Sequence, residues 1–244
     1  MKKQPNIRPL SVCLSALFLC LSVTTLWAID PATFVRITSE KKCIQCKLKK
    51  INLARLDLSG GDFHQTDLSG ANFEGSNLQG VDFSGAILAK AKLSGANLKG
   101  ANLVGANVSG SDLEEADLSG ALLDQVNFTK ANLKRANLGE AKGKQVQFQG
   151  ADLSATKAER ATLIDADFRG AILLWTRFDL ADLSGGRFEA STLEEVQFPG
   201  AQLKGARFHD AHLIAPGLHR ARLTGTFWTN GKLCKKGSIG FCQK

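Results

Sequence analysis

A large apolar residue stands at every fifth position from Leu48 to Leu233: Leu48, Leu53, Leu58, Phe63, Leu68, Phe73, and on to Leu218, Leu223, Trp228 and Leu233. Gly143 and Ala158 interrupt the series, and the register continues through both. Two residues before each centre sits a small or β-branched residue, as in Ala71, Ser76, Val81 and Ala86. The residue between is often Asn or Asp, and Gly closes many units, as at Gly70, Gly75, Gly80 and Gly85. A helix repeats its faces every 3.6 residues and a strand every two, so neither holds a large side chain on one face at a spacing of five. The repeat therefore specifies an architecture of its own, in which units stack on one another.

A second period sets the winding. Phe128, Phe148, Phe168, Phe188, Phe208 and Trp228 are spaced by twenty. A chain that turns one corner per five residues and closes a square coil every four units stacks these six rings on one wall. Coils at strand spacing lie about 4.8 Å apart, a separation that suits offset or tilted rings. About nine coils from Leu48 to Leu233 make a rod on the order of 45 Å long. The regularity loosens after Gly139, and the missing side chains of Gly143 and Ala158 predict a thinner core there. Functional variation in a solenoid lies on its outer surface, which directs attention to the outside of that half.

The units AlaAsnLeuLysGly (96–100), AlaAspLeuSerGly (116–120) and AlaAsnPheGluGly (71–75) resemble the signature of pentapeptide repeat proteins. The resemblance implies an all-β fold, a right-handed quadrilateral parallel β-helix. It implies little about activity: most members of that family have no assigned activity, and a minority inhibit DNA gyrase by mimicking DNA.

The two ends differ from the repeat. Residues 1–28 read as an export signal, with Lys2, Lys3 and Arg8 ahead of an uncharged run and Leu26-Trp27-Ala28 as the cleavage region. Residues 29–47 read as an N-terminal cap. Asp30-Pro31 has the form of a helix start, and Phe34, Ile37 and Thr38 share the face that would cover the open end of the core. Cys43-Ile44-Gln45-Cys46 follows. The repeat is expected over 48–235, and 236–244 form a C-terminal cap or tail. An exported chain favours structural disulfides, so Cys43 is expected to pair with Cys46 and Cys234 with Cys242. The ends of the rod are too far apart for the pairs to exchange or to share one metal ion.

Charge and chemistry narrow the function. The chain has 31 Lys and Arg against 23 Asp and Glu. Without residues 1–28 the balance is 28 against 23. Lys130, Lys134, Arg135, Lys142 and Lys144 are the densest basic run, but folding spreads them over three walls. Glu114, Glu115, Glu194 and Glu195 interrupt the wall bearing Lys134, so no phosphate-tracking stripe forms. His209, Asp210 and His212 offer metal ligands, yet solvated surface roles suit them better, and neither cofactor nor metal is expected. No catalytic triad or carboxylate pair stands out, and a rod with a filled core lacks an enclosed cleft.

The most unusual outward residues are Ile172, Leu174 and Trp175, joined by Ile164 in the same coil, Leu180 just beyond, and Ile214 two coils above Leu174. Exposed aliphatics and Trp on one face of a rod mark a partner site. The sequence thus reads as a non-enzymatic exported scaffold or protein-binding module in a periplasmic, secreted or equivalent lumenal compartment. Its expected partner is a protein or a second copy, with no nucleic acid and no membrane after signal cleavage. The alternatives are a gyrase-inhibiting DNA mimic, which basic charge and a signal segment argue against, and an extracytoplasmic thiol or metal protein.

Overall fold

The computed structural model describes residues 31–243. The expected signal segment and the helix cap at Asp30 lie outside the described residues. Helix α1 (Pro31–Thr38) opens with proline, whose missing N–H is no loss in a first turn. Ile37 is buried and joins the same core as Cys43 and Leu48, while Val35 on the other side is exposed. The Thr38 hydroxyl donates to the Phe34 carbonyl at 2.9 Å.

Coiling begins at Lys42, which pairs with Asp62 in parallel. That is one unit before the expected start at 48. Cys43 is buried at a centre position, its N–H donating to the Asp62 carbonyl at 2.9 Å. The CxxC segment is therefore the first unit of the coil and not part of the cap before it. From there each outward residue pairs with the one twenty further on, as in Asn72↔Lys92, Asn97↔Asp117 and Asp167↔Arg187. Most rungs are single bridges. Four places extend to three-residue strands: β1 (Lys142–Lys144), β2 (Thr162–Ile164), β3 (Thr192–Glu194) and β4 (His212–Ile214). β1 pairs in parallel with β2 in the register Gly143↔Leu163, and β3 with β4 in the register Leu193↔Leu213.

A twenty-residue register divided by units of five gives four walls of a right-handed quadrilateral β-helix. Wall 1 runs through Phe63, Phe83, Leu103, Leu123, Gly143 and Leu163. Wall 2 runs through Leu68, Leu88, Val108 and the phenylalanines from Phe128 to Phe208. Wall 3 carries Leu153, Leu173, Leu193 and Leu213, and wall 4 carries Leu118, Leu138, Ala158, Phe178 and Phe198. Walls 1 and 3 face opposite ways, as do walls 2 and 4.

Each position of the unit has a physical reason. Outward Asn and Asp accept a hydrogen bond from the backbone two residues on, such as Glu74 N–H to Asn72 Oδ1 at 3.0 Å and Ser84 N–H to Asp82 Oδ1 at 2.8 Å. These local turns help bend the chain. The same side chains bond from coil to coil, as Asn77 Nδ2 to Asp57 Oδ1 at 2.9 Å and Asn137 Nδ2 to Asp117 Oδ1 at 3.0 Å. Where the small inward residue is Ser or Thr, its hydroxyl usually donates to a carbonyl of the coil below. Ser76 to Leu53 (2.7 Å) and Thr176 to Leu153 (2.8 Å) are examples, so these buried polar groups are satisfied.

The core has the ring stack that the spacing predicts. Phe128, Phe148, Phe168, Phe188 and Phe208 lie nearly parallel, with centroids 5.3, 5.0, 4.7 and 4.6 Å apart. Trp228 closes the stack tilted by 50°. A second stacked pair, Phe178 and Phe198 at 5.5 Å, stands on the opposite wall and meets the first edge-on, with Phe168 and Phe178 5.9 Å apart. The core is not thinner at Gly143. A Cβ built there would lie 2.5 Å from Val146 Cγ2 and 2.9 Å from Leu123 Cβ. The branched neighbour fills the space that the missing side chain vacates.

The upper end departs from the coil earlier than its spacing suggests. The last parallel rung is Arg207↔Phe227, after which the chain turns back in antiparallel pairs, Phe227↔Leu233 and Arg222↔Ile239. Leu233 keeps the spacing of five but is exposed, because it sits in the return segment and not on a core wall.

Candidate partner-binding face

The corners decide which side chains the rod projects. The fifth residue of nearly every unit is left-handed, with φ near 45–71° along the coil, where Gly is easiest and a side chain is directed away from the core. Most non-glycine corners carry Lys, Arg, Glu, Gln, Asp or Ala. Among the described corners, Trp175 (φ 55°) and Leu180 (φ 58°) are the large apolar ones. They are 55% and 60% exposed. They follow one another in the chain, at the two edges of wall 4. Gly200, one coil above Leu180, leaves room for it: a Cβ there would lie 2.7 Å from Leu180 Cδ2.

The other sequence-selected residues divide. Ile172 and Ile214 are exposed on wall 3, which leads into the Trp175 corner. Leu174 is half-buried, in a column of that wall that runs Ser154, Leu174, Glu194, Ile214, so Glu194 separates the two apolar side chains. Ile164 lies in β2 on wall 1, two corners from Ile172 and on the opposite side of the rod. It is half-buried and does not join the others. Ile172, Leu174 and Ile214 thus stand on wall 3, Trp175 at the corner where wall 3 meets wall 4, and Leu180 at the far edge of wall 4, with Arg177 and Asp179 between the two corners.

Beside Leu180 lies an open groove of about 590 Å³ on wall 4 and its corner with wall 1. Ser119, Gly120 and Gly139 form its floor, where short or absent side chains leave the wall low. Lys99 bounds it below, and Arg177, Asp179 and Leu180 above. Arg177 lies 3.2 Å from both Asp179 and Glu159, and Arg160 lies 3.8 Å from Glu140. The hydrogen bonds to Asp179, with the nearby charge of Asp179 and Glu159, hold the Arg177 guanidinium above its ordinary value. The groove was not among the residues singled out from sequence. Its signal was Gly139, which replaces the longer residue that most units carry just after the centre.

The remaining candidates do not assemble a reactive centre. The structure joins Cys43 to Cys46 and Cys234 to Cys242, which ties down the first coil and the upper cap. His209 projects from wall 2, 3.1 Å from Asp210, and His212 from wall 3, 3.9 Å from Glu194. Asp62, His64 and Asp82 on wall 1 bring three ligand atoms within 4.8 Å of one another, a set able to hold a divalent cation. Those atoms already have partners. His64 Nδ1 lies 2.6 Å from Asp62 Oδ1, and Asp82 Oδ1 accepts from Asn102 Nδ2 at 3.0 Å. Two of the five residues of the basic run are also paired: Lys134 meets Asp152 at 3.1 Å, and Arg135 meets Glu115 at 2.9 Å and Glu114.

Comparison with known proteins bears on the fold. No curated protein sequence matches the chain. HetL of the cyanobacterium Nostoc sp. strain PCC 7120, a pentapeptide repeat protein involved in heterocyst differentiation regulation, is 29% identical. The match covers 84% of this chain and 99% of HetL, with a TM-score of 0.40. QnrB1, a plasmid-mediated fluoroquinolone resistance protein, is 19% identical, covering 72% of this chain and 91% of its own, with a TM-score of 0.61. A pentapeptide repeat protein of the Arabidopsis thaliana thylakoid lumen is 33% identical over 40% of this chain and 68% of its own, with a TM-score of 0.39. The family model for pentapeptide repeats matches residues 42–75, 76–114, 111–142 and 147–185. With its parallel rungs of twenty residues and a large centre in nearly every unit, the chain belongs to the pentapeptide repeat family.

Proposed function

We propose that this protein is an exported, non-catalytic rod that binds another protein through the face edged by Trp175 and Leu180. The carrying observation is that a Trp and a Leu occupy consecutive left-handed corners, positions that push them into solvent and that polar residues, glycine or alanine fill at the other described corners. Large aromatic and aliphatic anchors beside a polar groove are the composition of a protein-binding surface. The paired charges of Arg177, Asp179, Glu159 and Arg160 suit the rim of such a site, where they set orientation more than affinity. Export is supported by the composition of residues 1–28 and by four cysteines that form two local pairs.

The test is the double variant Trp175→Ser, Leu180→Ser in the mature protein. Loss of partner capture with an unchanged melting curve is the expected result; unchanged capture contradicts the reading. Purified from its native compartment, the protein should contain no free thiol and begin near Ile29. Four reactive thiols and an intact first segment would contradict export.

DNA mimicry gains less support. Acidic side chains outnumber basic ones in residues 61–199, nineteen to thirteen. They are distributed over all four walls, however, with Asp62 on wall 1, Asp167 on wall 2, Glu114 on wall 3 and Asp117 on wall 4. No continuous anionic stripe results.

A further inference from the structure

The net charge of the chain conceals a partition along the rod. Residues 200–243 contain seven Lys and Arg, namely Lys204, Arg207, Arg220, Arg222, Lys232, Lys235 and Lys236, against Asp210 alone. None of the seven forms an ion pair with a described residue, and Asp210 lies beside His209. The middle of the rod, by contrast, is net acidic. The lower end is also basic, but Lys41 and Lys49 there pair with Asp57 and Asp67.

The same upper end carries exposed apolar side chains. Phe241 is 63% exposed, and Ile239, Leu233 and Phe227 are also exposed. The antiparallel return places Leu233 beside Phe227 on wall 2 and Ile239 beside Arg222 on wall 1. The cap is held by the Cys234–Cys242 bond and by backbone bonds such as Cys234 N–H to the Thr226 carbonyl at 2.9 Å. These projecting groups therefore sit on a fixed tip.

We propose that this upper end is a docking tip for an anionic lipid bilayer, with Phe241, Ile239 and Leu233 entering the interface and the surrounding Lys and Arg contacting headgroup phosphates. Shallow apolar side chains ringed by basic residues are the composition of interfacial membrane binding, and Lys and Arg stems reach outward while their methylenes cover apolar surface. Two competing occupants fit less well. A second copy meeting end to end would bring two unpaired basic clusters together. Opposing walls about 10 Å apart, widened by outward side chains to about 20 Å, give an end face on the order of 400 Å². That is about half of the ~800 Å² per partner that a standard protein interface buries. A bilayer needs no such area or complementary shape. No described helix is long and apolar enough to cross a membrane, so the contact is peripheral. This departs from the expectation of no membrane role, which rested on sequence alone. It is also independent of the Trp175–Leu180 face.

Flotation of the mature protein with phosphatidylcholine vesicles, and with equimolar phosphatidylcholine and phosphatidylglycerol vesicles, tests the tip. Binding to the anionic vesicles, weakened by salt, is expected. Lys235→Ser, Lys236→Ser should weaken it on the order of 25-fold, at about fivefold per basic residue. Ile239→Ser, Phe241→Ser should weaken it at least about tenfold. All four side chains are outside the core, and circular dichroism with a count of free thiols checks that the cap persists. Absence of binding to anionic vesicles overturns the proposal, as does binding that neither double variant changes. So does vesicle binding that depends on the lysines but not on Ile239 and Phe241. Tip-dependent dimers in sedimentation, without vesicle binding, would assign the surface to a second copy instead.

Discussion

Below Gly139 most centres are Leu, the corners are often Gly, and the outward residue before the centre is usually Asn or Asp. Above it the centres on walls 2 and 4 are largely Phe, and among those outward positions Asp152, Asp167 and Asp182 are the remaining Asx residues. The others are mostly Lys, Arg, Gln, Thr and a few apolar residues. Both halves keep the same parallel rungs. In the lower half the repeat holds itself with Asx turns and coil-to-coil amide bonds. In the upper half ring stacking supplies rigidity from inside, and the outer positions are free to vary. The candidate partner face and the basic tip both lie in the upper half.

The comparison is broken most directly in the core. Phe168 touches Phe148 and Phe188 by stacking and Phe178 edge-on. Phe168→Ala should cost about 3–5 kcal/mol, at or above the loss from Leu98→Ala in the lower half, about 2–5 kcal/mol. Denaturant melts of the two variants measure it; a Phe168 loss well below that of Leu98 would mean the stack does not hold the upper half. Gly143→Ala adds volume where Val146 and Leu123 leave none, and overpacking of this kind costs about 1–3 kcal/mol. A neutral or stabilising change would show that the core there is indeed thin.

The outer surface gives smaller effects. Arg169 stands at an outward position, and its Nη2 and Nε hold the Asp167 carboxylate at 2.6 and 2.9 Å. Burial pushes the Asp167 carboxyl up, but hydrogen bonds from Arg169 outweigh it, and Asp167 ionises below the usual carboxylate range. A folded-state value below the unfolded one gives stability that is complete above the ordinary carboxylate value near 4. That stability is lost as pH falls through the folded value. Arg169→Ala should therefore cost about 1–2 kcal/mol at neutral pH and lessen the acid-induced drop in melting temperature. Equal losses at neutral and low pH would remove Asp167 from the explanation. Trp175→Ser, Leu180→Ser touches no core group and should stay within about 0.5 kcal/mol; a larger destabilisation would make these corners structural.

Periodicity made the fold readable because a solenoid has one local rule and each coil repeats it. Spacing of five and of twenty gave the walls, the Phe stack and the outward direction of Trp175. It misled where a residue kept the spacing without the environment. Leu233 is five after Trp228, but the chain has already turned back, and Cys43 is five before Leu48 and already belongs to the coil. Ile164 and Ile172 look close in the chain, yet two corners put them on opposite walls. The groove arises from the absence of side chains at Gly120 and Gly139 in successive coils, a relation visible only when residues nearly twenty apart are stacked. Charge partition was hidden by a single net value.

The claim that function resides on the upper surface is tested most directly by a photo-crosslinking residue placed at position 175 or at position 115. Both are left-handed corners of the same column, three coils apart, so the two proteins differ in which half of the rod carries the probe. Irradiation in the native compartment should give a discrete protein adduct from position 175 and none from position 115. Matching adducts from both positions, or an adduct from 115 alone, would contradict the account.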